Sequence, residues 1–335
     1  MAKTILVAYS FGQNDKFGYS GIDRYSQLLH EGLNAIGYKH DTYEYKETKF
    51  RRIFVSPQRT KEYDIIHLTQ PHGYEAFISS KAKKILTWHD NQIFTRKGKV
   101  QFYNWIRGFV AYECADTITF NSTQSHEELM GFMKKRGNWK QGKSYDITPI
   151  PLDDIWTKSR IKEVQRKGFI YIGSIDYEHK NFKGLMETYK KLCDSIDQIQ
   201  KPPLYIFTSS PNPYELTEPY FTEGRAYPIH IFNRANDAEI LHYLKSSIAL
   251  LHLSLYEGYG LTIMESLAVG TPVITLKSAK IPDEVAKWTI RSDNPADEAL
   301  KLYEKPQQSK ADAIKYAKGL NKENYAKKMV ELYEI

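Results

Sequence analysis

The chain has little cysteine and no long apolar segment, and both absences limit what it can be. Its 335 residues include only two cysteines, Cys114 and Cys193. Two cysteines cannot form a disulfide framework, and they indicate a reducing compartment. No window approaches the ~20 apolar residues that span a bilayer. Residues 1–9 lead directly into a strand pattern without the apolar region and cleavage site of a signal peptide. We therefore expect a cytoplasmic protein.

The motifs that commonly hold a catalytic metal ion are also missing. There is no Asp-x-Asp pair to bridge a metal ion to a diphosphate, and no cysteine–histidine spacing typical of zinc. The segment His126–Met130 begins like a metalloprotease helix, but Met130 occupies the position of the second histidine. The sequence therefore predicts a protein that needs no metal ion and no cofactor.

An excess of positive charge is confined to the first half of the chain. Residues 1–152 contain 22 Lys and Arg against 15 Asp and Glu, whereas residues 153–335 contain 25 of each. The basic clusters are Lys46–Arg52, Lys81–Lys84, Arg96–Lys99 and Lys134–Lys143. They are either solvated faces or a surface for an anionic partner, such as acidic lipid at the inner membrane face or a phosphorylated acceptor. No nucleic-acid-binding motif accompanies them, so nucleic acid is not an expected partner.

Strand and helix patterns alternate along the whole chain, which is typical of parallel sheets covered by helices. The length leaves room for two domains with separate cores. Residues 153–167 are charged and lack a strand pattern. The sequence therefore predicts an α/β protein with a Rossmann-like domain over 1–152, a linker over 153–167 and a second Rossmann-like domain over 168–312. Residues 313–335 form the terminal helical segment.

The segment Ser254–Thr275 predicts a turn and a helix between two strands of a parallel sheet. An apolar strand pattern precedes it, Gly258 and Gly260 form a tight turn, and a helix begins at about Leu261. The N–H groups of Leu261 and Thr262 then lie unpaired at the helix N-terminus, where they and the helix dipole attract phosphate. Open α/β sheets bind ligands at this edge.

Two glutamates, Glu257 and Glu265, flank the turn. Helical side chains lean toward the helix N-terminus, so we expect the side chain of Glu265 near that of Glu257. Carboxylates beside an anion site are explained if each accepts hydrogen bonds from sugar hydroxyls. A phosphate site between two diol sites predicts a sugar nucleotide as the ligand.

The two glutamates, separated by seven residues, resemble the signature of family 4 glycosyltransferases. The resemblance implies the GT-B fold, in which two doubly wound Rossmann-like domains face a central cleft, the acceptor domain first, and the last helix crosses back to the first domain. It implies retaining transfer of a hexose from a nucleoside-diphosphate sugar to a hydroxyl of a glycan, a lipid-linked molecule or a small molecule. It also implies that Glu257 contacts the donor sugar and Glu265 the ribose. The turn residues assigned to donor binding are Gly258, Tyr259, Gly260, Leu261 and Thr262.

Weaker matches to the family extend over most of the chain. Gly21 lies in the counterpart of the glycine loop before the first helix, and His89 ends a strand as the family's histidine near the reaction centre does. Ser174 stands where many members have arginine, while Lys180 keeps the lysine six residues later. Arg234 corresponds in place to the nucleobase contact. The resemblance thus implies catalytic roles for His89 and Lys180, and donor contacts for the other three.

Several alternatives stay open. A nucleotide-sugar epimerase of GT-B architecture would use the same donor site without transferring the sugar. A degenerate GT-B module would bind carbohydrate or an anionic membrane without catalysis, although it would not need to retain Glu257, Glu265 and Lys180 together. Taken alone, His89 also fits a buried core histidine whose hydrogen bonds are satisfied.

Overall fold

The computed structural model describes residues 3–9, 21–44, 62–78, 80–89, 99–137, 143–161, 165–197, 200–218 and 227–334. The chain forms two compact units, Met1–Pro151 with Leu320–Ile335, and Leu152–Gly319. Each unit holds a parallel six-stranded sheet with helices, which confirms the predicted α/β class. The basic cluster predicted at 46–52, most of that at 96–99 and part of that at 134–143 lie outside the described residues.

The sheet of the first unit consists of short parallel strands. They are β1 (Ile5–Tyr9), β2 (Asp41–Glu44), β3 (Ile65–Leu68), β4 (Lys83–Trp88), β5 (Thr117–Phe120) and β6 (Ser144–Ile147). Their order in the sheet is β2-β1-β3-β4-β5-β6. The central strands β3 and β5 are buried along their whole length, because helices cover both faces of a parallel sheet.

Helices from both ends of the chain cover the first sheet. They are α1 (Gly21–Ala35), α2 (Glu75–Ile78), α3 (Lys99–Cys114), α4 (Thr123–Lys135) and α13 (Lys322–Glu334), with a 3-10 turn at Pro71–Gly73. The terminal helix α13 packs so closely on α1 that a Cβ at Gly32 would collide with the carbonyl of Lys322. The end of the chain is therefore an integral part of the first unit.

A buried polar network also holds α13 in place. His67 on β3 lies with Nδ1 2.7 Å from the Tyr333 hydroxyl and with Nε2 2.8 Å from Thr87 Oγ1. Tyr25 on α1 bonds through its hydroxyl to Thr87 and to Tyr325. Burial lowers the pKa of His67 to about 3, and the nearby His89 adds to the shift. The network therefore contains a neutral imidazole.

The sheet of the second unit is also parallel throughout. Its strands are β7 (Phe169–Ile172), β8 (Leu204–Thr208), β9 (Ile229–Asn233), β10 (Ala249–His252), β11 (Val273–Leu276) and β12 (Ile290–Ser292). Their order is β12-β11-β10-β7-β8-β9, so the chain leaves β7 in one direction and later returns to its other side at β10. The topological switch point, where such sheets bind ligands, thus lies at the carboxyl ends of β7 and β10.

The helices of the second unit include one that lies in the segment predicted as a linker. They are α5 (Asp154–Thr157), α6 (Phe182–Asp194), α7 (Pro213–Thr217), α8 (Asp237–Ser246), α9 (Leu261–Ala268), α10 (Asp283–Ala286), α11 (Pro295–Glu304) and α12 (Ala311–Gly319), with a 3-10 turn at Glu178–Lys180. Helix α5 lies within the predicted linker 153–167, yet it belongs to this unit. Asp153 caps α5 by accepting the Ile155 N–H, and Trp156 is buried. A single turn with one buried large apolar residue gives no periodic pattern to detect.

No helix in the described part of the chain is both long enough and apolar enough to cross a membrane.

Candidate functional site

The glycine turn connects β10 to α9 at the switch point of the second sheet. Gly260 caps α9 with φ of +95°, a left-handed conformation that side chains rarely adopt. A Cβ at this position would lie 3.1 Å from Ile263 Cδ1 and 3.4 Å from Val285 Cγ1. Both the backbone angle and the packing therefore favour glycine at this point. Gly258 lies two residues earlier, just after Glu257.

Two backbone donors lie unpaired at the N-terminus of α9. The Gly260 carbonyl accepts the N–H groups of Ile263 and Met264 at 3.0 and 3.2 Å. The N–H groups of Leu261 and Thr262 donate to no acceptor within the described residues. Because these donors coincide with the positive end of the helix dipole, the turn can bind an anion such as a diphosphate.

Lys180 and His252 both hold the carboxylate of Glu257. Lys180 Nζ lies 2.8 Å, and His252 Nε2 2.9 Å, from the same oxygen, Oε1. Burial alone would raise the pKa of Glu257. The electrostatic interaction and hydrogen bond of His252, and then those of Lys180, outweigh burial and hold this pKa well below its usual range. Glu257 is therefore an anion in a fixed orientation.

Glu265 on α9 lies in the opposite environment. Its side chain is partly exposed and receives no hydrogen bond from the residues that the structure describes. Burial raises the pKa of Glu265 to about 7, and the charge of Asp237 adds to the shift. Hydroxyl groups of a ligand would supply donors that the described residues do not provide, and they would favour the carboxylate form.

The loop after β7 carries Lys180 to the turn. The Leu255 N–H donates to the His179 carbonyl at 2.8 Å. The amide Nδ2 of Asn181 donates to the Leu253 carbonyl at 3.0 Å. These two bonds tie the loop to the segment after β10, so the contact of Lys180 with the glutamate of the turn rests on a supported backbone.

Ser174, Arg234 and Tyr259 differ in what they can offer a ligand. The Ser174 carbonyl accepts the Tyr171 hydroxyl at 2.7 Å, and the serine side chain is partly exposed. Arg234 follows β9, is exposed and has a left-handed φ of 59°. The Tyr259 side chain is buried, and burial, with Tyr316 nearby, raises the pKa of its hydroxyl well above the ordinary value. Only the backbone of Tyr259 is therefore placed to meet a ligand.

Two predicted site residues, His89 and Gly21, belong to the first unit. His89 follows β4 and is buried, and its Nε2 donates to the Thr69 carbonyl at 2.9 Å. The edge of the His89 ring packs against Tyr25, with 4.6 Å between the ring centroids. Gly21 is the first residue of α1. The roles of both in donor binding stay predictions.

Sequence reasoning missed His252. The available signal was a polar residue at the end of the apolar run Ala249–His252, five positions before Glu257. A polar residue at this position is as typical of an ordinary strand end as of a functional site. The sequence therefore does not predict the contact of His252 with Glu257, which the structure shows. Among the described residues, no group of three His, Cys, Asp or Glu side chains could hold a metal ion. The expected independence from metal ions stays a prediction.

Comparisons with known proteins agree with the architecture. Residues 154–326 match the family model described as "Glycosyl transferases group 1". No curated protein sequence matches the chain. The chain is similar to sucrose-phosphate synthase from Thermosynechococcus elongatus, with a TM-score of 0.70, 16% identity and 98% of each chain covered. It is also similar to the UDP-forming α,α-trehalose-phosphate synthase from Burkholderia vietnamiensis, with a TM-score of 0.67, 11% identity and 100% of each chain covered.

A third similar structure is WaaG, a glycosyltransferase involved in lipopolysaccharide biosynthesis. Its TM-score is 0.59 at 14% identity, with 97% of this chain and 95% of the other covered. At these identities the likeness is evidence of the fold alone, and that fold is GT-B. The family model spans more than half of the chain and includes Lys180, Glu257 and Glu265. The protein therefore belongs to the group 1 glycosyltransferases.

Proposed function

We propose that the protein is a retaining glycosyltransferase that moves a hexose from a nucleoside-diphosphate sugar to a hydroxyl acceptor. The observation that carries the proposal is the pair of unpaired N–H groups, of Leu261 and Thr262, beside two contrasting carboxylates. In this arrangement Glu257 accepts a hydroxyl of the donor sugar and the helix N-terminus binds the diphosphate. Glu265 accepts the ribose hydroxyls.

Catalysis in this proposal is mainly electrostatic. Negative charge develops on the diphosphate oxygen as its bond to the anomeric carbon breaks, and the N–H groups of α9 are already in place to stabilise it. Lys180 has a long flexible side chain, so it can turn from Glu257 toward the diphosphate. Arg234 is exposed at the same sheet edge and is proposed to contact the nucleobase.

A thermal-shift screen tests the donor class. UDP, GDP, ADP and their hexose conjugates are added to the protein at about 100 times an expected dissociation constant. At that excess a ligand stabilises the folded state by ~2.7 kcal/mol. We expect one base to raise the melting temperature, with and without the sugar. If no nucleotide shifts the transition, the donor assignment is wrong.

Product analysis separates transfer from the epimerase alternative. A transferase gives an acceptor heavier by one hexose residue, whereas an epimerase returns a sugar nucleotide of unchanged mass. The NMR coupling of the new anomeric proton then reports whether the donor's configuration is kept. An inverted product would contradict retention while leaving transfer intact.

We also propose that activity is independent of metal ions. Lys180 and the N-terminus of α9 supply the positive charge that a metal ion would otherwise bring to the diphosphate. The initial rate is measured with and without excess EDTA, and we expect equal rates. A loss of activity that Mn²⁺ restores would contradict the proposal.

The acceptor in our proposal is anionic, either phosphorylated or part of an acidic lipid surface. The positive excess of residues 1–152 supports this. Flotation with liposomes tests the lipid alternative: binding that requires acidic lipid and weakens with salt supports it. Equal binding to neutral and acidic liposomes would reject it.

A further inference from the structure

His252 differs from Lys180 in how it holds Glu257. The His252 side chain is 4% exposed and extends from β10, where its backbone pairs with Thr275 of the neighbouring strand β11. The Lys180 side chain is 23% exposed and reaches the same oxygen from a loop. A short imidazole on a sheet strand has little freedom to move, whereas a lysine has four rotatable methylene groups.

In the proposed mechanism Lys180 has two roles that conflict, pairing with Glu257 and contacting the diphosphate. In the empty protein it pairs with Glu257, but a bound diphosphate brings a higher negative charge to the same edge of the sheet. When Lys180 turns to the diphosphate, Oε1 of Glu257 loses the hydrogen bond from Lys180 Nζ. The hydrogen bond from His252 Nε2 to the same oxygen stays in place.

We propose that His252 is a positioning residue, which keeps the Glu257 carboxylate aimed at the donor sugar while Lys180 serves the diphosphate. The hydrogen bond from Nε2 fixes Oε1, and fixing one oxygen restricts the plane of the carboxylate and therefore the direction of its second oxygen. This inference rests on the proposed function, because it assumes that Glu257 meets the sugar.

A pair of substitutions at His252 separates positioning from a general structural role. The side-chain amide nitrogen of glutamine can occupy the position of the histidine Nε2. The side chain of asparagine is shorter, so its amide nitrogen lies near the position of Nδ1 and does not reach Glu257. Both variants keep a polar amide at the same buried position. We expect His252→Asn to lower kcat for hexose transfer by ~10–100-fold, as for a lost hydrogen bond to a charged group, and His252→Gln to stay within about threefold of the native enzyme.

Two further measurements, diphosphate binding and the pH dependence of kcat, distinguish a positioning role from a purely structural defect. We expect the binding of the free nucleoside diphosphate to be unchanged in both variants, because the N–H groups of α9 do not involve His252. We also expect the acid limb of the kcat profile to move to higher pH in His252→Asn, since that variant loses the interactions that most strongly lower the pKa of Glu257.

The outcomes are distinguishable. If the native protein neither binds a sugar nucleotide nor transfers a hexose, the proposed function fails. If the native protein is active and His252→Asn is equally active with the same acid limb, the positioning role alone is wrong. If His252→Asn does not fold, the decision rests on His252→Gln: near-native kcat supports the role, and a large loss of kcat with native diphosphate binding contradicts it.

Discussion

Two glutamates of one turn carry different charge states because their neighbours differ. Glu257 meets Lys180 and His252 at a single oxygen, and these two neighbours hold its pKa well below the usual range, so it is an anion at neutral pH. Glu265 has a partly buried carboxyl near the like charge of Asp237, and its pKa rises to about 7. At neutral pH the first carboxylate can therefore accept a hydroxyl at once, whereas the second becomes fully ionised only when a ligand supplies hydrogen bonds.

Glu257→Gln should remove most of the activity without disturbing the fold. The amide keeps the size of the side chain but loses the charge that holds Lys180 and accepts the sugar hydroxyl. We expect kcat to fall by about 10²–10³-fold, as for other lost transition-state contacts, with an unchanged circular dichroism spectrum. Glu187→Gln, an exposed position on α6, is the control and should be neutral. Native turnover in Glu257→Gln would reject the site.

Glu265→Gln should change how stability depends on pH. A carboxyl whose pKa is raised on folding, from 4.5 to about 7, contributes stability below pH 4.5, and this contribution is lost as the pH rises through 7. We therefore expect the variant to match the native protein near pH 4.5 and to exceed its unfolding free energy by roughly 1–2 kcal/mol at pH 8. Urea unfolding measures the difference. Glu304→Gln makes the same change at an exposed position, so a similar pH-dependent gain there would contradict the assignment.

The sequence predicts site residues only where their spacing along the chain is characteristic. The spacing of Glu257 and Glu265 and the glycines between them predict a nucleotide site from the sequence, and that role stays a prediction. His252 was not predictable, because a histidine at the end of a buried strand reveals neither its rotamer nor its partner. Burial of the Tyr259 side chain also depends on distant residues, such as Tyr316 on α12.

At the scale of elements, long periodic segments were predictable and short ones were not. The sequence predicts helices over about 22–33, 100–115 and 183–194, and α1, α3 and α6 lie within two residues of these bounds. Apolar positions recur at helical spacing over 13 residues or more in each of them. The strand β2 is polar and lies at the sheet edge, so it carries no apolar run. The three-residue strand β12 is likewise too short for a pattern.

Gly260→Ala should disturb the start of α9. Alanine at φ of +95° is strained, and its Cβ would approach Ile263 and Val285 closely. We expect a loss of about 1–2 kcal/mol in unfolding free energy and weaker nucleotide binding, measured by urea unfolding and thermal shift. Gly131→Ala in α4 is a control of opposite sign: it has open space and an ordinary φ, so it should gain up to about 1 kcal/mol. Equal effects at the two glycines would contradict this account of the turn.

At the scale of the whole molecule, the two units should respond in opposite directions to mild acid. In the first unit, His67 has a pKa lowered by burial from 6.5 to about 3, so its contribution to stability is present above pH 6.5 and is lost as the pH falls toward 3. In the second unit, the contribution of Glu265 grows as the pH falls from 7 to 4.5. Between pH 6.5 and 5, the first unit should therefore weaken while the second strengthens.

Calorimetry at several pH values measures this divergence. Tyr333→Phe, which removes the hydroxyl bonded to His67, identifies the transition of the first unit, because an unsatisfied buried group costs about 1–3 kcal/mol. Glu265→Gln identifies that of the second. As the pH falls from 6.5 to 5, we expect the transition of the first unit to move to lower temperature and that of the second unit to move to higher temperature. Transitions that move together or not at all would show that these two groups do not control the pH response.

The packing of α13 onto α1 and β3 has a consequence for biosynthesis. The second unit is continuous in the chain and can fold while translation is still under way. The first unit begins to emerge from the ribosome earlier, yet it lacks its last helix, and His67 lacks its tyrosine partner, until residues 320–334 have been made. The half that is synthesised first is therefore the half completed last, and until then its nascent form exposes the apolar face that α13 later covers.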